Sequence, residues 1–121
     1  MAKIRHIAIK VEDQEKAAEF YKKTFGMTEA WRGPVRDDGN RAIYLSDGYI
    51  NLAIIQKRPH YKEGLYHFGI EVENIEQLKP LCKELGAASE IEKRPPNREA
   101  EYRVADPDGN LIDLSQHGWP A

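Results

Sequence analysis

The feature that most constrains this chain is that it can be read twice. Ile4-Arg5-His6-Ile7-Ala8-Ile9-Lys10-Val11-Glu12-Asp13 and Leu65-Tyr66-His67-Phe68-Gly69-Ile70-Glu71-Val72-Glu73-Asn74 carry histidine, isoleucine, valine and glutamate in register. The histidines (6 and 67) and the valines (11 and 72) are both 61 residues apart. A constant internal spacing means one structural unit used twice. With 121 residues there is room for one domain, or for two half-size modules that share a core, but hardly for two unrelated domains.

Both segments alternate in character, as a strand with one face against a helix layer requires. Ile7, Ile9 and Val11 match Phe68, Ile70 and Val72 on that face, so His6 with Ala8 and His67 with Gly69 point the other way. A small residue beside each imidazole leaves open space, which reads as a pocket lining. After each strand, Asp13 or Asn74 can cap a helix N-terminus. The first helix is expected over 15–25, with Ala17, Phe20, Tyr21 and Phe25 on its apolar face and Gly26 closing it. The second is expected over 75–85, closed by Gly86, with Pro80 as a candidate kink.

Each half then ends in a hairpin. Residues 42–45 turn at Ser46-Asp47-Gly48 into 49–56, and 101–105 turn at Asp106-Pro107-Asp108-Gly109 into 110–116, with Gly after Asp as the turn signal. Residues 57–64 join the halves, and 33–40 and 94–98 read as loops within them. Tyr102 and Arg103 lie on the strand paired with the one bearing Asp113. A four-residue loop over 106–109 sets Tyr102 opposite Asp113, and one more residue reverses that parity.

Composition serves here to exclude. The 18 Lys and Arg mix with 20 Asp and Glu along the whole sequence, so the concentrated basic face that nucleic acid requires is absent. No apolar run approaches the roughly 20 residues of a membrane span, and the opening Met-Ala-Lys-Ile-Arg-His has no signal-peptide character, so a cytoplasmic protein is expected. The single cysteine, Cys82, sits among Leu78, Leu81 and Leu85 and reads as a small buried side chain rather than a reactive thiol. His60 and His117 read as surface residues, with His117 near enough to the C-terminus to reach a site as an acid or base. Trp31, Tyr44, Tyr49, Tyr61 and Trp119 either complete the core and a subunit interface or line an apolar cavity.

On the two histidine strands, on Phe20-Tyr21 with Gly26, and on Asp106-Pro107-Asp108-Gly109-Asn110-Leu111-Ile112-Asp113-Leu114, the chain resembles the vicinal oxygen chelate superfamily over nearly its whole length. That superfamily contains glyoxalase I, extradiol dioxygenases, fosfomycin-resistance transferases and bleomycin-binding proteins. The resemblance implies an α+β fold of two tandem βαβββ modules, 1–58 and 65–121, forming a cup-shaped mixed sheet around a metal ion. It implies His6, His67 and Asp113 as ligands, with Asn51 at the position corresponding to Asp113 in the first module. One divalent ion, iron, nickel, zinc or manganese, would be held. A homodimer is also implied, with His6 and Asn51 of one chain meeting His67 and Asp113 of the other.

Two imidazoles and one carboxylate leave open positions on a divalent ion, as needed to hold adjacent oxygens of a small substrate. The first expectation is a glyoxalase-like lyase or isomerase in the broad sense, with an enediolate stabilised and a group such as Tyr102 or Glu71 moving the proton; Glu71 reads equally as a solvent-exposed strand end. Arg103 is the alternative contact, for an anionic part of the substrate. Asn51 cannot serve as a base, which argues against an ordinary glyoxalase I. A fosfomycin-resistance enzyme would carry a hydroxyl residue where Ala8 stands, although Arg94 and Arg98 lie near the place of its cationic loop. The remaining alternatives are an Fe(II) extradiol-type dioxygenase and a bleomycin-resistance-like binding module without catalysis.

Overall fold

The computed structural model describes residues 1–98 and 100–121, in two compact units: Met1–Arg5 with His67–Trp119, and His6–Tyr66 with Pro120–Ala121. The element order is β1 (Lys3–Val11), α1 (Gln14–Phe25), β2 (Thr28–Arg32), β3 (Ile43–Ser46) and β4 (Asn51–Gln56). It then repeats as β5 (Gly64–Glu71), α2 (Ile75–Glu84), β6 (Glu92–Lys93), β7 (Tyr102–Ala105) and β8 (Leu111–Ser115). The α+β class and the tandem βαβββ order are therefore as the repeat and the resemblance imply. No helix among the described residues is long and apolar enough to cross a membrane.

In the first half the strands lie in the order β2-β3-β4-β1. β4 runs parallel to β1, with His6 opposite Asn51 and Ala8 opposite Ala53, and antiparallel to β3. A parallel neighbour needs a long crossover, which α1 and the two intervening strands supply. α1 forms where a cap satisfies each end. The Asp13 carboxylate accepts the Lys16 N–H at 3.1 Å, and Gly26, at φ 72°, turns its N–H back to the Lys22 carbonyl. Glu15 in the first turn and Lys22 and Lys23 in the last complement the helix dipole.

The helix packs through Ala17, Ala18 and Tyr21 onto Ile9, Val11, Ile43, Leu45 and Ile54. This corrects the apolar face expected from the sequence. Phe20 and Phe25 are exposed, stacked edge-on against each other at 5.8 Å, because the small side chain of Ala18 is the one that sets the helix down on the sheet. Gln14 ties the start of α1 to β4: its side-chain amide donates to the Ile54 carbonyl at 2.7 Å, and its backbone N–H donates to Gln56 Oε1 at 2.9 Å.

In the second half the order is β5-β8-β7-β6, with β8 parallel to β5 and antiparallel to β7. Asn74 caps α2 by accepting from the Glu76 and Gln77 N–H groups, and the helix runs through Pro80 to Glu84. Its core is Val72, Ile75, Val104 and Leu114, with Leu78, Cys82, Tyr102 and Ile112 against it. Cys82 is thus a packing residue.

The second hairpin departs from the four-residue loop. Asp106 accepts the Asp108 and Asn110 N–H groups, and its own N–H reaches the Asn110 carbonyl at 3.0 Å, so 106–110 is a five-residue turn with Gly109 at φ 88°. Parity follows from that one residue. Arg103 stands opposite Asp113, and Tyr102 stands opposite Leu114 on the face toward α2.

Ile54 is fully buried and Phe25 is 66% exposed. Urea unfolding should therefore show Ile54→Ala destabilising the protein by about 3 kcal/mol through lost burial and a residual cavity. Phe25→Ala should change stability by less than about 0.5 kcal/mol.

Candidate functional site

The polar groups that the repeat singled out lie on the face of each half opposite its helix. That face is buried in both halves: His6, Ala8, Asn51 and Ala53 in one, His67, Gly69, Asp113 and Ser115 in the other. Burying polar side chains is tolerable only where each finds a partner.

In the first half, His6 Nδ1 lies 2.7 Å from Asn51 Oδ1. The amide is held at its other end, since Asn51 Nδ2 donates to the Pro120 carbonyl at 2.6 Å. That bond fixes which end of the amide faces the histidine. The His6 ring stands edge-on to Tyr44 at 6.2 Å, and Tyr44 continues to Trp31 at 5.6 Å. Trp31 lies so close over Gly33 that a Cβ there would come within 2.8 Å of its ring, so a larger residue would require the ring to shift. His6, Tyr44 and Trp31 form a row of rings.

In the second half, His67 Nε2 lies 3.1 Å from Asp113 Oδ2, while Arg103 Nε donates to Asp113 Oδ1 at 2.5 Å and Arg103 Nη2 lies 3.4 Å from His67 Nδ1. Burial alone would raise the Asp113 pKa; the hydrogen bonds and charges of His67 and Arg103 outweigh it and lower the pKa to about 2. Asp113 is ionised at any working pH.

Asn51 and Asp113 do not occupy equivalent places, which corrects the expected correspondence. His6 pairs directly with Asn51, but Asp113 pairs with Gly69, two residues beyond His67, so the register counterpart of Asp113 in the first half is Ala53. The longer diagonal explains why His67 meets its oxygen through the distal Nε2 whereas His6 uses the proximal Nδ1. The even offset keeps both oxygens on the histidine's face.

These pairs suit a metal. Ligands at about 2.1 Å and at right angles on an ion stand about 3 Å apart, which matches both the 2.7 Å and the 3.1 Å separations. Imidazole nitrogen with carboxylate and amide oxygen is a donor set for zinc, iron, nickel or manganese.

The other candidates fall elsewhere. Tyr102 packs on α2, with the Lys79 ammonium 5.9 Å from its ring centre. Glu71 shares the strand face of His67 and pairs with Arg5 at 3.4 Å. His60 lies exposed in the connector, and exposed His117 leans on Ser115 Oγ at 2.9 Å. Sequence reading missed Ser115, which is fully buried and donates to Glu101 Oε2 at 2.6 Å while accepting the Gly118 N–H. Its signal was parity: 113 and 115 share a face.

Asp113 has its pKa depressed, so its stabilising contribution is present above the ordinary carboxylate pKa and is lost as pH falls from about 4 toward 2. With chelator present, the wild type should lose about 2 kcal/mol more stability between pH 5 and pH 2 than Asp113→Asn does. Parallel acid-unfolding curves for the two proteins would contradict the ion-pair account.

A family model described as the Glyoxalase/Bleomycin resistance protein/Dioxygenase superfamily matches residues 3–114. Human mitochondrial methylmalonyl-CoA epimerase is 27% identical over 86 residues, which cover 62% of this chain and 49% of that protein, so the chain spans about half the length of that curated relative. Among solved structures, a hypothetical protein from Bacillus halodurans C-125 is 21% identical with a TM-score of 0.75, covering 93% of this chain and 92% of that one. A methylmalonyl-CoA epimerase in complex with methylmalonyl-CoA and NH4+ is 20% identical with a TM-score of 0.71, covering 94% and 93%. A variant of the Streptomyces coelicolor methylmalonyl-CoA epimerase with 2-nitronate-propionyl-CoA gives 21%, 0.70, 93% and 92%. At these identities the structural likeness speaks for the fold.

Proposed function

The chain belongs to the glyoxalase/bleomycin resistance protein/dioxygenase superfamily, and we propose that it is a divalent-metal-dependent enzyme that moves a proton on a small molecule bearing adjacent oxygens, an isomerase or lyase in the broad sense. The observation that carries this reading is that each half holds one buried histidine nitrogen 2.7–3.1 Å from one buried side-chain oxygen. His6, His67 and Asp113 are the proposed ligands, and Asn51 Oδ1 the fourth donor or the acceptor for a metal-bound water.

An ion bound there supplies Lewis acidity, lowering the cost of negative charge on substrate oxygens as a neighbouring C–H is deprotonated. The protein's own part is orientation. Pro120 and Arg103 each grip the far end of a donor side chain, so the donor atoms are set before anything binds. Burial strengthens that electrostatic effect by excluding water. The relatives' printed substrate, methylmalonyl-CoA, fits this chemistry, because its carboxylate and thioester oxygens flank one acidic carbon.

The reading includes a homodimer with sites shared between subunits, which subunit mixing tests directly. His6→Ala and Asp113→Asn should each bind metal at least a hundredfold more weakly than wild type by calorimetry. Refolded together, they should regain about one strong site per mixed dimer, since one site then combines two intact halves. No regain, with each parent folded, would place both halves of the site in one chain. Elemental analysis of protein purified without chelator reads the metal: iron with oxygen uptake on catechols would select the dioxygenase, and no binding of any ion would leave the small-molecule binding module.

A further inference from the structure

We propose that Lys10, with Tyr61 and Tyr66, forms an oxyanion subsite at the end of the first half's polar face, where it takes a phosphate or carboxylate on a part of the ligand remote from His6. Ile9 and Val11 pack into the core, so Lys10 between them points to the opposite face, the one that carries His6 and Ala8. Four residues of strand set it about 13 Å from His6. Its ammonium lies 5.5 Å from the Tyr61 ring centre and 5.3 Å from that of Tyr66. Lys10 is half-buried and the two rings are 54% and 37% exposed, so the cluster stands where the buried face meets solvent.

The rings hold the ammonium without neutralising it. A π face attracts a cation through its quadrupole, but it takes no charge away and offers the N–H donors no oxygen. Among the described residues no carboxylate pairs with Lys10, whereas Lys57 and Arg58 of the connector are met by Glu12 and Asp38 at 3.1 and 3.9 Å. One of the rings is also placed under strain. The Tyr61 N–H donates to the Arg58 carbonyl at 3.1 Å, closing a turn in which His60 stands at φ 74°, a conformation that favours glycine. A strained turn that sets a ring beside an ammonium fits a cluster built in advance of its ligand. Lysine binds as a compact point charge, so a phosphate suits it as well as a carboxylate, with no planar fork needed. Two rings beside the ammonium displace water, which strengthens its attraction for an anion.

The subsite goes beyond the metal reading and is tested apart from it. Isotope-labelled protein in excess chelator at low ionic strength is titrated with inorganic phosphate and, separately, with acetate, and the amide resonances of β1 and the connector are followed by NMR. Wild type should show saturable shifts around Lys10. Saturation by phosphate alone assigns the subsite to phosphoryl groups, by acetate alone to carboxylates, and by both to oxyanions in general. Lys10→Gln should lose at least tenfold in affinity for whichever anion binds, and Tyr61→Leu at least threefold. If Lys10 served only to pack against the two rings, its replacement would leave anion binding unchanged. Should Lys10→Gln fail to fold, Tyr61→Leu, on the exposed connector, carries the measurement. Wild-type affinity in either folded variant, or no saturable shift around Lys10 in the wild type, overturns the inference. So does an equal loss in Lys62→Gln, which removes a connector charge outside the cluster and would make the effect one of net charge. None of these results bears on metal binding, and failure of the protein to take up any ion leaves the Lys10 result standing.

Discussion

In each half of this protein the first and last strands run parallel and side by side, β1 with β4 and β5 with β8, and the placement of every candidate ligand follows from that pairing. A parallel pair is buried on both faces. One face takes the helix and the apolar core; the other receives the polar side chains, which must then satisfy one another. Asn51 does so at both ends of its amide, and Ser115 does so with Glu101 and Gly118. The site is thus a by-product of burying polar groups on the face that the helix does not cover.

Satisfaction is reached differently in the two halves. Around His6 the described contacts include an amide, a backbone carbonyl and a row of aromatic rings. Around His67 it is achieved with ions, and the Asp113 carboxylate lies between a guanidinium and an imidazole. A buried carboxylate with one such partner removed would be destabilising by several kcal/mol, so Arg103 and Asp113 form a unit that substitution cannot divide at small cost.

Much of this was legible in the sequence. The spacing of His6 and His67, the capping residues Asp13 and Asn74, and the alternation that turns both histidines away from the helices are local rules, and local rules survive folding. What was not legible depended on counting across a turn or on how closely two layers approach. Asp106 bonds as far as Asn110, adding one residue to the turn and exchanging Tyr102 for Arg103 at the site. Ala18 rather than Phe20 sets the helix down, because contact distance favours the smaller side chain. The two-residue offset between Asn51 and Asp113 is likewise a matter of register, which residue type does not encode.

The repeat therefore separates what the frame needs from what the chemistry needs. Positions that hold the frame, the cap, the strand alternation and the glycine after each helix, are matched between the halves. Positions on the polar face are not matched: Asn51 stands opposite its histidine and Asp113 diagonal to it, Ser46 pairs with Asn51 where Arg103 pairs with Asp113. Two identical halves would duplicate their charge, and a doubled Arg and Asp set would bury two ion pairs where one already needs its partners closely set.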